Sequence, residues 1–161
     1  MKFEKFLKNC GARGTVITTE CDGQFLKLGP VMLAIPAGVN VLSSTSAQAP
    51  QYIENILVDF DDGYLGAAEL TDAKLPLPDA SPSKIKRIFS NSSGGTIEID
   101  NKTFAVIERS DHVYTYTEEH SDSETQSALV VSSGFGEEET ISAIILDEQY
   151  YYNKLTNKED K

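Results

Sequence analysis

The sequence predicts a single α+β domain built on an antiparallel β-sheet meander, with an N-terminal β-hairpin and about three short helices. Three observations lead there. Two β-favouring runs near the start, Thr15–Cys21 and Gln24–Leu28, flank Asp22-Gly23, a pair suited to a two-residue hairpin turn. Three segments carry apolar residues at helical spacing. The second half then alternates β-favouring runs with turn formers: Thr96–Ile99, Thr103–Ile107, Val113–Thr117, Ser127–Val131 and Thr140–Leu146. A chain of 161 residues is long enough for one cored domain and short for two. The domain is expected to span residues 1–152, with 153–161 as a flexible tail.

The elements follow in order. Phe3, Phe6, Leu7 and Cys10 fall on one face of a first helix that Gly11 stops. After the hairpin, Val31–Ile35 and Val39–Leu42 read as further strands, separated by Pro36-Ala37-Gly38. Ser43–Ala49 reads as a polar connector. Pro50 suits the first position of a second helix, whose stripe is Ile53, Ile56, Leu57 and Phe60 and which Asp59–Gly63 ends. Tyr64–Ala80 is ambiguous between a lid, a crossover and a strap. Ser81 as N-cap and Pro82 after it open a third helix, with Ile85, Ile88 and Phe89 facing inward. Asp100-Asn101-Lys102 forms a tight turn within the meander.

Composition narrows the function classes. Hydrophobic residues make up 40% of the chain, within the globular range. No apolar run approaches the roughly 20 residues that span a bilayer. The charged N-terminal segment lacks the apolar region of a signal peptide, so a cytosolic location is expected. The net charge is -11, and residues 108–148 hold eleven acids against one base. Direct nucleic-acid binding, which needs clustered Lys and Arg, is thereby disfavoured, and a basic protein partner is favoured. Cys10 and Cys21 read as reduced thiols, and the two glycosylation-type triplets at Asn91 and Asn101 carry no meaning without secretion.

Candidate chemistry is sparse. Asp59-Phe60-Asp61-Asp62-Gly63 begins like a calcium loop, but Gly63, Tyr64 and Leu70 occupy positions five, six and twelve, where an oxygen ligand, glycine and glutamate are required. It reads as a helix end and a turn. His112 and His120 would lie about 26 Å apart on a continuous strand, too far to share a metal unless the chain reverses between them. No nucleophile elbow, phosphate loop or dinucleotide fingerprint is present, and Gly134-Phe135-Gly136 does not lead from a strand into a helix. No catalytic residue, metal or cofactor is expected.

Two features suggest contact with a partner. Tyr150, Tyr151 and Tyr152 either finish the sheet or project as an aromatic patch. Glu118, Glu119, Asp122 and Glu124 either solvate a sheet edge or face a basic groove. Glu137, Glu138 and Glu139 lie in a glycine-flanked loop with little reason to be rigid.

Met1–Gly11, the segment Ser81–Phe89 and the run Ile99–Asp111 together resemble small uncharacterised proteins encoded by tailed bacteriophages of gut Firmicutes. The resemblance implies a virion component, an assembly helper or an inhibitor of host defence, and it implies no catalytic residue. The expected function is non-enzymatic: protein–protein binding as a virion or assembly component, through a phage structural protein or self-association. The alternative is an acidic inhibitor occupying a nucleic-acid or nucleotide site on a host protein. A small hydrolase ranks third. An acidic decoy would lose affinity steeply with salt, and a virion component only mildly.

Overall fold

The computed structural model of the chain describes residues 14–21, 23–36, 39, 45–75, 86–91, 95–105, 107–119 and 125–147. The first strands are β1 (Thr15–Thr18), β2 (Gln24–Leu28), β3 (Val31–Ala34) and β4 (Thr45–Gln48). Helix α1 (Gln51–Asp61) follows, then β5 (Gly66–Ala67), β6 (Glu69–Leu75), β7 (Lys86–Ser90) and β8 (Thr96–Asp100). A single helical turn, α2 (Asn101–Phe104), precedes β9 (His112–Glu119), β10 (Thr125–Ser133) and β11 (Thr140–Leu146).

These strands form two sheets. The larger runs β4-β1-β2-β3-β11-β10-β9-β5, and the smaller runs β6-β7-β8. All pairs are antiparallel except β1 with β4. The large sheet is therefore mixed, not purely antiparallel as the sequence suggested.

Alternation along the central strands builds two cores. Leu26, Val31, Leu33, Leu129, Val131, Ala143 and Ile145 face the small sheet and meet its Phe89, Ile97 and Ile99. Their neighbours Phe25, Met32, Ala128, Val130, Ile144 and Leu146 face the other way and meet Ile53 and Ile56 of α1. The result is three layers: helix, large sheet, small sheet. A strand buried on both faces must be apolar at every position, and the runs Ala128–Val131 and Ala143–Leu146 are.

Several expected elements are found and several are corrected. The strands of the N-terminal hairpin pair as expected, but β1 ends at Thr18 and the connection runs from Thr19 to Gly23. Thr19 is 3% exposed and sends both its backbone N–H (2.8 Å) and its Oγ1 (3.2 Å) to the Gly23 carbonyl, closing a longer loop than a two-residue turn. The expected strand Val39–Leu42 lies almost wholly outside the described residues, as do the first helix and the Ser81-Pro82 cap. Instead β4 forms inside the stretch read as a polar connector, an exposed edge tied to β1 by Thr45 Oγ1 and Thr15 Oγ1 at 2.9 Å. The second helix forms as expected, with Pro50 as its N-cap, one position before the predicted place. Part of Tyr64–Ala80 resolves into β5 and β6.

The third helix is a strand where it is described. Lys86–Ser90 is the middle strand of the small sheet, with Phe89 buried against the large sheet and its neighbours Ile88 and Ser90 only half-buried. Pairing on both sides supplies backbone partners that the weak helical stripe could not match. Thr103–Ile107 is likewise not a strand. The turn of α2 brings Phe104 to 6.2 Å from the Phe89 ring and beneath the Arg87 guanidinium, 4.2 Å from the ring centre. Among the described residues α1 is thus the one α-helix longer than a turn, and no helix is long and apolar enough to cross a membrane.

Ile144 and Ile145 point into opposite layers from adjacent positions, and both are fully buried. Replacing either with Ala is expected to cost about 2–5 kcal/mol. Urea unfolding followed by circular dichroism measures it, since the chain has no Trp.

Candidate functional site

The large sheet leaves one side-chain cluster that packing alone does not account for. It begins with a bulge. Val131 pairs with Ala143, but the next pair is Ser132 with Ile141, so Ser142 is an extra residue on β11. Ile141 and Ile144 can both reach the helix side only because of that insertion. Beyond it the hairpin closes through Gly134, Phe135 and a 3-10 turn over Gly136–Glu138. Gly134 has φ 95°, and a Cβ there would stand 2.6 Å from the Glu138 carbonyl oxygen. Only glycine fits.

This turn delivers Glu139 back onto the sheet. Its Oε1 accepts hydrogen bonds from Ser132 Oγ at 2.5 Å and Tyr114 OH at 2.6 Å. The Ser132 and Tyr114 hydrogen bonds, with attraction from His112, hold the Glu139 carboxyl below its ordinary value against the effect of burial. The same bond to Glu139, helped by burial, raises the Tyr114 phenol. Neither group titrates near neutrality. Glu139 is a fixed anion, tied to the sheet by its side chain, while Glu137 and Glu138 are exposed on the turn.

Opposite the hairpin lies the C-terminal end of α1. Tyr64 N–H bonds the Asp59 carbonyl (2.9 Å) and Gly63 N–H the Phe60 carbonyl (3.1 Å), with Gly63 at φ 74°. This is a Schellman closure, and it satisfies carbonyls that the helix end would otherwise leave open. The charge there has the wrong sign. The last turn has no basic residue, while Asp59, Asp61 and Asp62 sit at the negative end of the helix dipole. Such placement is unfavourable by about 0.3–1 kcal/mol per charge when exposed.

Between these two walls is an open cleft of about 380 Å³. Phe60, Asp61 and Gly63 line it from the helix, Gly136, Glu137 and Glu139 from the hairpin, and Leu65 and Tyr114 complete it. The Phe60 and Tyr114 rings meet edge to face at 6.1 Å. Tyr64 and Phe135, each next to lining residues, are 76% and 79% exposed.

The residues singled out from the sequence lie mostly elsewhere. Tyr150, Tyr151, Tyr152, Asp122 and Glu124 fall outside the described residues, as do His120 and Cys10. Glu118 is on β9 and accepts a hydrogen bond from Asn55 Nδ2 at 2.8 Å, so it ties α1 to the sheet and is not a free loop acid. Glu119 ends β9, paired with Thr125. His112 lies edge-on to Phe135 at 5.7 Å. Cys21 is a free, exposed thiol. Among the described residues, no three His, Cys, Asp or Glu side chains are grouped to hold a metal. Tyr114, Ser132 and Phe60 were missed as site residues because each reads as ordinary strand or helix content.

Two outcomes are expected. Glu139→Gln should lower stability at neutral pH by about 1 kcal/mol. Because folding depresses the Glu139 carboxyl, its contribution is present above the ordinary carboxylate value and fades as pH falls through the folded one. The melting-temperature gap between wild type and variant should therefore close in acid. Gly134→Ala should destabilise at every pH by more than about 1 kcal/mol, since it meets both strain and the Glu138 carbonyl.

No family model matches the chain, and no curated protein or solved structure matches it either.

Proposed function

We propose that the protein is a non-enzymatic binding module that recognises another protein through the face where Tyr64 and Phe135 flank the acidic cleft. One observation carries this reading. The two most exposed large apolar side chains among the described residues belong to the two segments that wall the cleft, each next in sequence to residues that line it. Aromatic side chains left in water on a well-ordered frame are the usual anchors of protein interfaces. The groups nearest to chemistry support binding over turnover: Glu139 stays ionised, and Ser132 is fully buried. The phage resemblance favours a partner in the particle or its assembly. A basic host protein is the second reading, favoured by the surplus of ten negative charges over residues 108–148.

Photocrosslinking tests the surface. A benzoylphenylalanine in place of Phe135 should trap a defined partner from infected-cell lysate, and one in place of Thr45, on β4 at the far edge of the sheet, should not. Tyr64→Ala with Phe135→Ala should weaken binding of that partner by about tenfold or more. Its melting temperature should stay close to wild type, because both side chains are exposed. Equal products from positions 135 and 45 would count against the proposal.

A further inference from the structure

We infer that the cleft seats a cationic side chain, lysine or arginine, from a segment of the partner protein, against the Phe60 and Tyr114 rings and between the carboxylates of Asp61 and Glu137. This rests on the reading above and names the chemistry of the partner.

A helix C-terminus is stabilised by cations, and α1 places Asp59, Asp61 and Asp62 there with no basic residue in its last turn. The end is otherwise well made, since its Schellman bonds are complete. A local rule is thus broken at one place only, in charge, and such departures concentrate at functional positions. The facing wall repeats the sign. Glu137 is exposed on the hairpin turn, and Glu139 is clamped as an anion by Ser132 and Tyr114. Among the described residues, none that lines the cleft is basic. Two negative walls facing each other across a gap repel until a cation enters.

The remaining lining selects the kind of cation. Phe60, Leu65 and Tyr114 are apolar or aromatic, which suits a long aliphatic stem ending in an ammonium or guanidinium group. A hard divalent ion needs several converging oxygens, and no such grouping forms among the described residues. The volume, about 380 Å³, lies at the small end of ligand pockets and suits one side chain rather than a strand or helix. Tyr64 and Phe135, exposed and next in sequence to lining residues, offer apolar surface to the residues flanking that side chain, which favours a protein segment over a free amine.

The test is a titration of the isotope-labelled full chain followed by amide NMR shifts. The probes are N-acetyl-arginine amide, N-acetyl-lysine amide, neutral N-acetyl-citrulline amide and spermidine. The arginine or lysine probe should shift the amides of residues 60–65 and 134–139, and citrulline should not. Asp61→Asn with Glu137→Gln should weaken that binding by about tenfold. The same variant should melt higher than wild type, because it relieves the charge at the helix end. That paired gain and loss is a signature that misfolding could not produce. Unchanged titration in the double variant would overturn the inference, and the crosslinking contrast between positions 135 and 45 would survive it. Perturbation by spermidine without any by the arginine and lysine probes would overturn the protein-segment assignment. Loss of the crosslinking contrast, with the titration intact, would overturn the binding surface and this inference together.

Discussion

Across the β10–β11 pair, Leu129 meets Ile145 on one face of the sheet and Val130 meets Ile144 on the other, and all four side chains are excluded from water. Burial on both faces at the same place is what the remaining architecture serves. The small sheet exists to cover the first face and α1 to cover the second. The helix, at eleven residues, is too short to stand alone, and the small sheet buries Phe89, Ile97 and Ile99 against the large one. Each is held by what it covers. Polar ties then fix the angle of the helix, through Glu54 Oε1 to the Glu20 N–H (2.9 Å) and Asn55 to Glu118.

That arrangement explains which parts of the fold could be read in advance. The runs Val31–Leu33, Ala128–Val131 and Ala143–Leu146 are apolar without interruption, and a strand buried on both sides is the plain reading of a short run of that kind. The stripe of α1 was equally legible. What failed was the periphery. Thr45–Gln48 joins the sheet as an exposed edge, so burial wrote no pattern into it. In Arg87-Ile88-Phe89 the two apolar residues are adjacent, so no alternation marks a strand there. The outcome there was decided by β6 and β8, which lie outside that segment.

The cleft was illegible for a different reason. Its anion depends on contacts between Tyr114, Ser132 and Glu139, which no spacing rule connects, and its negative walls come from residues 59–62 and 137–139, more than seventy positions apart. The acids were visible as composition. What sequence could not show was that some are clamped and others are spent on structure. Glu118 looked like part of an acidic loop and works as a strut for the helix. Glu139 looked mobile and is the best-held carboxylate of its run.

The bulge at Ser142 has a consequence for how this hairpin can change over generations. Side chains beyond it take their facing from a count, not from their own chemistry. Deleting Ser142, or adding one residue nearby, would rotate Ile141 off the helix side and carry Glu139 away from Tyr114 and Ser132 in a single step. Substitutions at the tip, by contrast, leave the count intact wherever φ is negative. The β10–β11 connection should therefore be held in length, the reverse of what surface loops ordinarily allow, and at Gly134 and Glu139 in identity as well.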